Sequence, residues 1–209
     1  MPNYADINGR PMKKLQIQQY LRKLQLNDFE PAVNLATLTK LQDAHLKYIP
    51  YENFDCLNGK ITSLKRQDVF NKVIMHNRGG ICFELNGLYN WLLESLGFEV
   101  TSYAARFIDK METYQLRRHR VMCVALGEKR YLTDVGVNSE SPRVPLEITE
   151  GLIQSDGISQ YKFTRSEFWG WLLWQKERGK IWKRLFGFTE EPQIDKDFIT
   201  ASFWCDAHP

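Results

Sequence analysis

Residues 78–86 read Arg78-Gly79-Gly80-Ile81-Cys82-Phe83-Glu84-Leu85-Asn86, and the sequence differs in kind on the two sides of this stretch. The glycine pair must break regular structure. From Cys82 onward, Leu85, Leu88, Tyr89, Leu92, Leu93 and Leu96 recur along one helical face, and Gly97 stands where a helix C-cap belongs. The spacing predicts a helix that begins at Cys82.

Toward the N-terminus the pattern stays helical. Ile17, Tyr20, Leu21 and Leu24 recur at helical spacing, with Lys13, Lys14, Arg22 and Lys23 around them. Asn27-Asp28-Phe29-Glu30-Pro31 ends that helix, and a second one carries Leu35, Leu38, Leu41 and His45 until Pro50 stops it. A third covers 66–76, with Val69, Phe70, Val73 and Ile74 apolar. Toward the C-terminus the period changes to two: 100–107, 119–126 and 129–135 read as strands, the last two joined by Gly127-Glu128. Segments 168–176 and 181–188 read as a hairpin around Glu177-Arg178-Gly179, although 169–174 also fits a buried helical turn. Helices followed by strands make the fold class α+β.

The composition is that of a folded protein: 209 residues, 43% hydrophobic and 25% charged, which excludes a disordered chain. The net charge of +3 is small and reads as dispersed, so neither nucleic acid nor membrane is expected as a partner. No apolar run approaches the roughly 18 residues of a membrane span, and Met1 to Lys14 holds no signal-peptide core. Cys56, Cys82, Cys123 and Cys205 lie 26, 41 and 82 residues apart, with no Cys-x-x-Cys pair and no clustered histidines, so no metal site is expected. Reduced thiols fit a cytoplasmic location.

A reactive cysteine needs a setting that stabilises its thiolate, and only Cys82, at a helix N-terminus, has one. Cys123 lies in the apolar strand Val121-Met122-Cys123-Val124 and reads as inert; Cys56 and Cys205 fall in turn-like segments and read as structural or incidental. A cysteine enzyme also needs an imidazole to take the proton. His208 is terminal, His45 is on the inner face of a helix, and His76 ends one, whereas His119 opens a strand whose partner carries Asp134. In a triad the acid fixes the histidine tautomer. Any chain of this size carries Cys, His and Asp in some order, so spacing alone favours a structural reading of His119 and Asp134.

More specific is the wording of the motif itself. Residues 78–86 resemble the R-G-G-x-C-x-E-L-N signature of the arylamine N-acetyltransferases, with Cys82 at the nucleophile position. Ala44-His45-Leu46 through Pro50-Tyr51-Glu52-Asn53-Phe54 resembles that family's A-H-L and P-F-E-N-L segments, and Tyr131-Leu132-Thr133-Asp134-Val135-Gly136 its Y-L-V-D-V-G-F-G segment. Separations of 37 residues from Cys82 to His119 and 15 from His119 to Asp134 are similar to those of the family's triad. A papain-type protease would separate Cys from His by roughly 130 to 150 residues.

The resemblance implies a helical bundle over 1–80, a nucleophile helix and β-barrel over 81–190 with a Cys-His-Asp core similar to papain-like and transglutaminase-like enzymes, and the start of an incomplete α/β lid over 191–209. It implies acetyl transfer from acetyl-CoA, as co-substrate, to the nitrogen of a small aromatic amine or hydrazine through a Cys82 thioester, with ping-pong kinetics. Amide synthases that take a carrier-bound acyl chain, and a cysteine hydrolase or transglutaminase-like enzyme, are the alternatives. Arg78 and Glu52 are expected to form an ion pair that supports the nucleophile loop. Tyr51 stands where the family usually has Phe, and Val137-Asn138 where it has Phe-Gly. By resemblance, Tyr51 and Val137 line the acceptor pocket.

Overall fold

A computed structural model describes residues 9–108, 116–137 and 140–208. Helix α1 (Lys14–Lys23) buries Tyr20 and Leu21 and ends in the basic pair Arg22 and Lys23, which complements its dipole. Helix α2 (Leu35–Tyr48) starts where the Asn34 side chain accepts a hydrogen bond from the Thr37 N–H at 2.8 Å. A short helix α3 (Phe54–Leu57) follows. The third expected helix begins as α4 (Arg66–Phe70) and continues as a π-helical turn, Asn71–Met75. Helix α5 (Cys82–Ser95) begins at Cys82, as the spacing predicts, and Gly97 follows it with φ +91°.

Eight strands then form one sheet. They are β1 (Glu99–Phe107), β2 (His119–Leu126), β3 (Lys129–Thr133), β4 (Leu146–Glu147), β5 (Gln154–Ser155), β6 (Ser159–Ser166), β7 (Gly170–Glu177) and β8 (Lys183–Gln193). Their order is β4-β3-β2-β1-β8-β7-β6-β5, antiparallel throughout. The hairpin expected around Glu177-Arg178-Gly179 is the β7–β8 pair, so 170–174 is strand and not helical turn. The sheet curls until its two-residue edges meet, and the Gln154 side chain bridges the seam: its Oε1 accepts from the Glu147 N–H at 2.7 Å and its Nε2 donates to the Glu147 carbonyl at 2.9 Å. One side chain thus does what a strand ladder does elsewhere in this nearly closed barrel.

Side-chain alternation sends the central strands into two cores. Met122, Val124 and Tyr131 pack with the helices, around Tyr20, Leu41, Leu88 and Leu92. Val121, Cys123 and Leu132 face the barrel interior with Phe163, Leu173 and Phe186. Helix α5 therefore lies against the outside of the barrel at β1 and β2. After β8, a 3₁₀ turn (Asp195–Phe198) and helix α6 (Ile199–Ala207) return to the helical side. Phe198 packs on Phe83 with ring centroids 5.9 Å apart, in a third small cluster with Cys56, Ile81 and Cys82. No helix among the described residues is long and apolar enough to cross a membrane.

Candidate active site

Cys82 is the first residue of α5, and Ile81 before it is extended. Its side chain is nearly buried, with Sγ 3.8 Å from the Arg118 carbonyl oxygen. The thiol thus lies along the backbone that opens β2. Pairing of Met122 with Thr133 brings the start of β2 beside the end of β3. There His119 Nε2 and Asp134 Oδ2 are 2.7 Å apart, both side chains closed to solvent. His119 Nδ1 has no hydrogen-bond partner among the described residues. Phe107 and Phe186 hold the imidazole between them, with centroids at 5.1 and 5.4 Å.

The other carboxylate oxygen is also fixed. Asp134 Oδ1 accepts from Asn86 Nδ2 at 2.9 Å and from the Gly136 N–H at 2.8 Å. Asn86 sits one helical turn beyond Cys82; its Nδ2 also donates to the Arg120 carbonyl, at 2.5 Å, and its Oδ1 accepts the Val135 N–H, at 2.9 Å. Gly136 admits this closeness: a Cβ there would stand 2.8 Å from the Cys82 Cα and 2.9 Å from Asn86 Nδ2.

Electrostatics do not make Cys82 a thiolate unaided. Burial pushes its pKa up, with Cys205 and Asp134 acting in the same direction, while backbone N–H groups of Phe83 and Arg120 oppose the rise. Such a thiol becomes a nucleophile by giving its proton to a base at hand, and the unpartnered Nδ1 of His119 is suited to accept it.

Behind the loop that leads into Cys82 is a charged cluster. Arg78 meets Glu52 Oε1 through Nη2 at 2.7 Å and Nε at 3.0 Å, the ion pair expected from sequence, and also reaches Asp55 at 3.3 Å. Lys72 joins Asp55 at 2.9 Å and the buried Glu84 at 2.8 Å, and Glu84 caps α5 through the Ile81 N–H at 2.9 Å. The Lys72 hydrogen bond, helped by Arg78, holds the Asp55 carboxyl down to about 2 against the effect of burial. The two glycines serve close approach and not a left-handed turn: a Cβ on Gly79 would stand 2.0 Å from the Pro50 carbonyl oxygen, and one on Gly80 2.7 Å from Glu84 Oε2. Accordingly Tyr51 bridges Gly80, and the Glu52 N–H donates to the Gly80 carbonyl at 3.1 Å.

Tyr51 is 38% exposed as a residue, yet burial of its hydroxyl end, reinforced by Cys82, Cys205 and Cys56, pushes its pKa up. Val137 packs into the barrel core at 6% exposure, and Asn138 lies outside the described residues. Cys56 and Cys205 are not turn residues: they lie on α3 and α6, and Cys205 packs against the cluster that contains Cys82. Two acids hold α6 in place. Asp195 pairs with Arg66 at 2.8 Å and with Arg120 at 2.9 Å. Asp206 accepts from Thr62 N–H, Thr62 Oγ1 and Cys56 Sγ at 2.8, 2.7 and 3.1 Å. Sequence reasoning missed Asn86 as an orienting residue; its place in the motif, four residues beyond Cys82, was the available signal.

Comparison with known proteins places the chain as a whole. The model of a family described as N-acetyltransferase matches residues 34–209. The arylamine N-acetyltransferase of Mycolicibacterium smegmatis is 34% identical over 196 residues, covering 91% of this chain and 70% of that protein. A solved structure of the M. smegmatis enzyme superposes with a TM-score of 0.86 at 33% identity, over 92% of this chain and 72% of that one. That of Mycobacterium marinum in complex with CoA gives 0.84 at 26% identity, with the same coverages. Proansamycin X synthase of Amycolatopsis mediterranei is 30% identical over 90% of this chain and 72% of its own length. The chain spans 61% to 73% of the curated relatives it matches. On the strength of the family match and of these relatives, the chain belongs to the arylamine N-acetyltransferase family.

Proposed function

We propose that Cys82, His119 and Asp134 act as a triad that moves an acetyl group from acetyl-CoA to the nitrogen of an arylamine or arylhydrazine. The observation that carries this reading is the buried His119–Asp134 pair at 2.7 Å, with Nδ1 of the same ring left without a partner next to the backbone that touches Cys82. Asp134 holds the His119 tautomer with its proton on Nε2, so Nδ1 takes the proton of Cys82. The thiolate attacks the thioester carbonyl, the bond from that carbon to the CoA sulfur breaks, the departing CoA thiolate takes the proton from His119, and an acetyl-thioester stands on Cys82 with the imidazole neutral again. One thioester replaces another, so the step is near thermoneutral. Backbone N–H groups at the start of α5 are suited to the developing oxyanion. The amine nitrogen then attacks this carbonyl, His119 takes its proton, the bond to Cys82 Sγ breaks, and the amide departs as His119 returns the proton to the Cys82 thiolate, which makes the kinetics ping-pong. Arg78 and Glu52 support the loop that presents Cys82, and Tyr51 borders the acceptor. The likeness to a CoA complex supports acetyl-CoA as donor.

A second reading rests on the similarity to proansamycin X synthase: the same triad takes an acyl chain from a carrier and closes it on an amine. Intact-protein mass after brief mixing with acetyl-CoA, quenched in acid, separates the two. One acetyl group gained by the parent chain, and none by Cys82→Ala or His119→Gln, supports the first. No gain from acetyl-CoA, with acylation from a carrier-bound chain, supports the second. A Cys82 that alkylates with iodoacetamide no faster than Cys205 sinks both.

A further inference from the structure

The nine residues 176–184, Lys176-Glu177-Arg178-Gly179-Lys180-Ile181-Trp182-Lys183-Arg184, carry five positive charges and one negative, a net +4 in a chain of net +3. The charge that composition presents as dispersed is concentrated at one hairpin. These residues end β7, turn and open β8. The register Lys162↔Trp174↔Arg184 sets one row across β6, β7 and β8. Trp171 and Leu173 face the barrel core, so Trp174, the next residue after Leu173, and its row face outward. Lys162 Nζ lies 4.6 Å from the Trp182 ring centroid and 5.9 Å from that of Trp174; Lys176 is 6.0 Å from Trp182 and Arg184 5.9 Å from Trp174.

Carboxylates neutralise only part of this face. Glu177 takes Lys180 and Lys183, and Glu140 also takes Lys183. Lys162, Lys176, Arg178 and Arg184 make no ion pair among the described residues. At the tip, Ile181 is 76% exposed, more than any other large apolar side chain among the described residues.

We propose that this hairpin docks the protein on an anionic lipid bilayer. Ile181 enters the boundary between headgroups and acyl chains, Trp174 and Trp182 sit at headgroup level, and the four unpaired cations meet the lipid phosphates and carboxylates. Nucleic acid is the poorer fit, because its phosphates offer nothing to an exposed aliphatic tip and both indoles already face cations instead of standing free to stack on bases.

Vesicle co-sedimentation with the whole chain tests this. Phosphatidylcholine vesicles containing phosphatidylserine bring the protein down, phosphatidylcholine alone does not, and high salt releases it. Arg178→Glu and Lys176→Glu together lower the bound fraction at least about tenfold. Ile181→Asp weakens binding as well, although its thermal unfolding stays that of the parent because the side chain is largely exposed. Equal binding to both vesicle types, no binding to either, or a duplex oligonucleotide bound as well as the anionic vesicles would overturn the proposal.

Discussion

Asn86 donates a 2.9 Å hydrogen bond to Oδ1 of Asp134, the carboxylate oxygen that His119 leaves unused. One residue of the helix that begins at Cys82 thereby orients the carboxylate that holds His119. Asn86→Ala removes that bond and the acceptor of the Val135 N–H. We expect acetyl transfer to fall by about tenfold to a hundredfold, the cost of one or two hydrogen bonds aligned in the transition state. The second-order rate of Cys82 alkylation should fall with it. Unchanged alkylation would assign Asn86 to packing alone.

Gly136→Ala puts a methyl group 2.8 Å from the Cys82 Cα. The atom it meets is backbone of α5 and not the end of a flexible side chain, so about 1–3 kcal/mol of stability is lost. Denaturant unfolding gives the loss, and acetylation of Cys82, followed by mass, is expected to disappear even where the variant remains folded.

His45 is fully buried, bonded through Nδ1 to the Tyr20 hydroxyl at 3.0 Å, and burial lowers its pKa to about 3. The unfolded chain takes up a proton near pH 6.5 and the folded chain does not, so stability is full above that pH and falls as pH drops toward 3. Near pH 4 the loss from this one group is on the order of 3 kcal/mol. A His45→Gln protein should show a flatter stability profile between pH 6.5 and 4; a profile as steep as the parent's would place the acid sensitivity elsewhere.

Asp195→Asn leaves Arg120, only 3% exposed, without its carboxylate. Breaking a buried pair in this way costs about 3–5 kcal/mol. Because Asp195 also holds Arg66, the start of α6 should loosen and iodoacetamide should reach Cys205 faster than in the parent. A melting temperature equal to the parent's would show that the pair is dispensable.

What was legible in the sequence was what repeats locally. Cys82 at a helix start, His119 at a strand start and the first three strands all follow from spacing of neighbouring residues. Strands β4 and β5 have two residues each and therefore no period to read. In β6, Tyr161 and Phe163 alternate with Lys162 and Thr164, a signal present but short. The roles of Asn86 and Arg120 depend on Asp134 and Asp195, 48 and 75 residues away, and the chain between them carries no record of that pairing. Cys205 read as incidental because only the return of α6 to the helical side brings it to Cys82.

That return also sets an order of assembly. The bonds fixing α6 join Asp206 to Cys56 across 150 residues and Asp195 to Arg66 across 129. Contacts so distant along the chain form late in folding, after the loops they close have been ordered. During synthesis α5 and its strands leave the ribosome before the segment that packs over Cys82. For that interval the thiol lacks the cover of α6 and is open to oxidants and stray electrophiles.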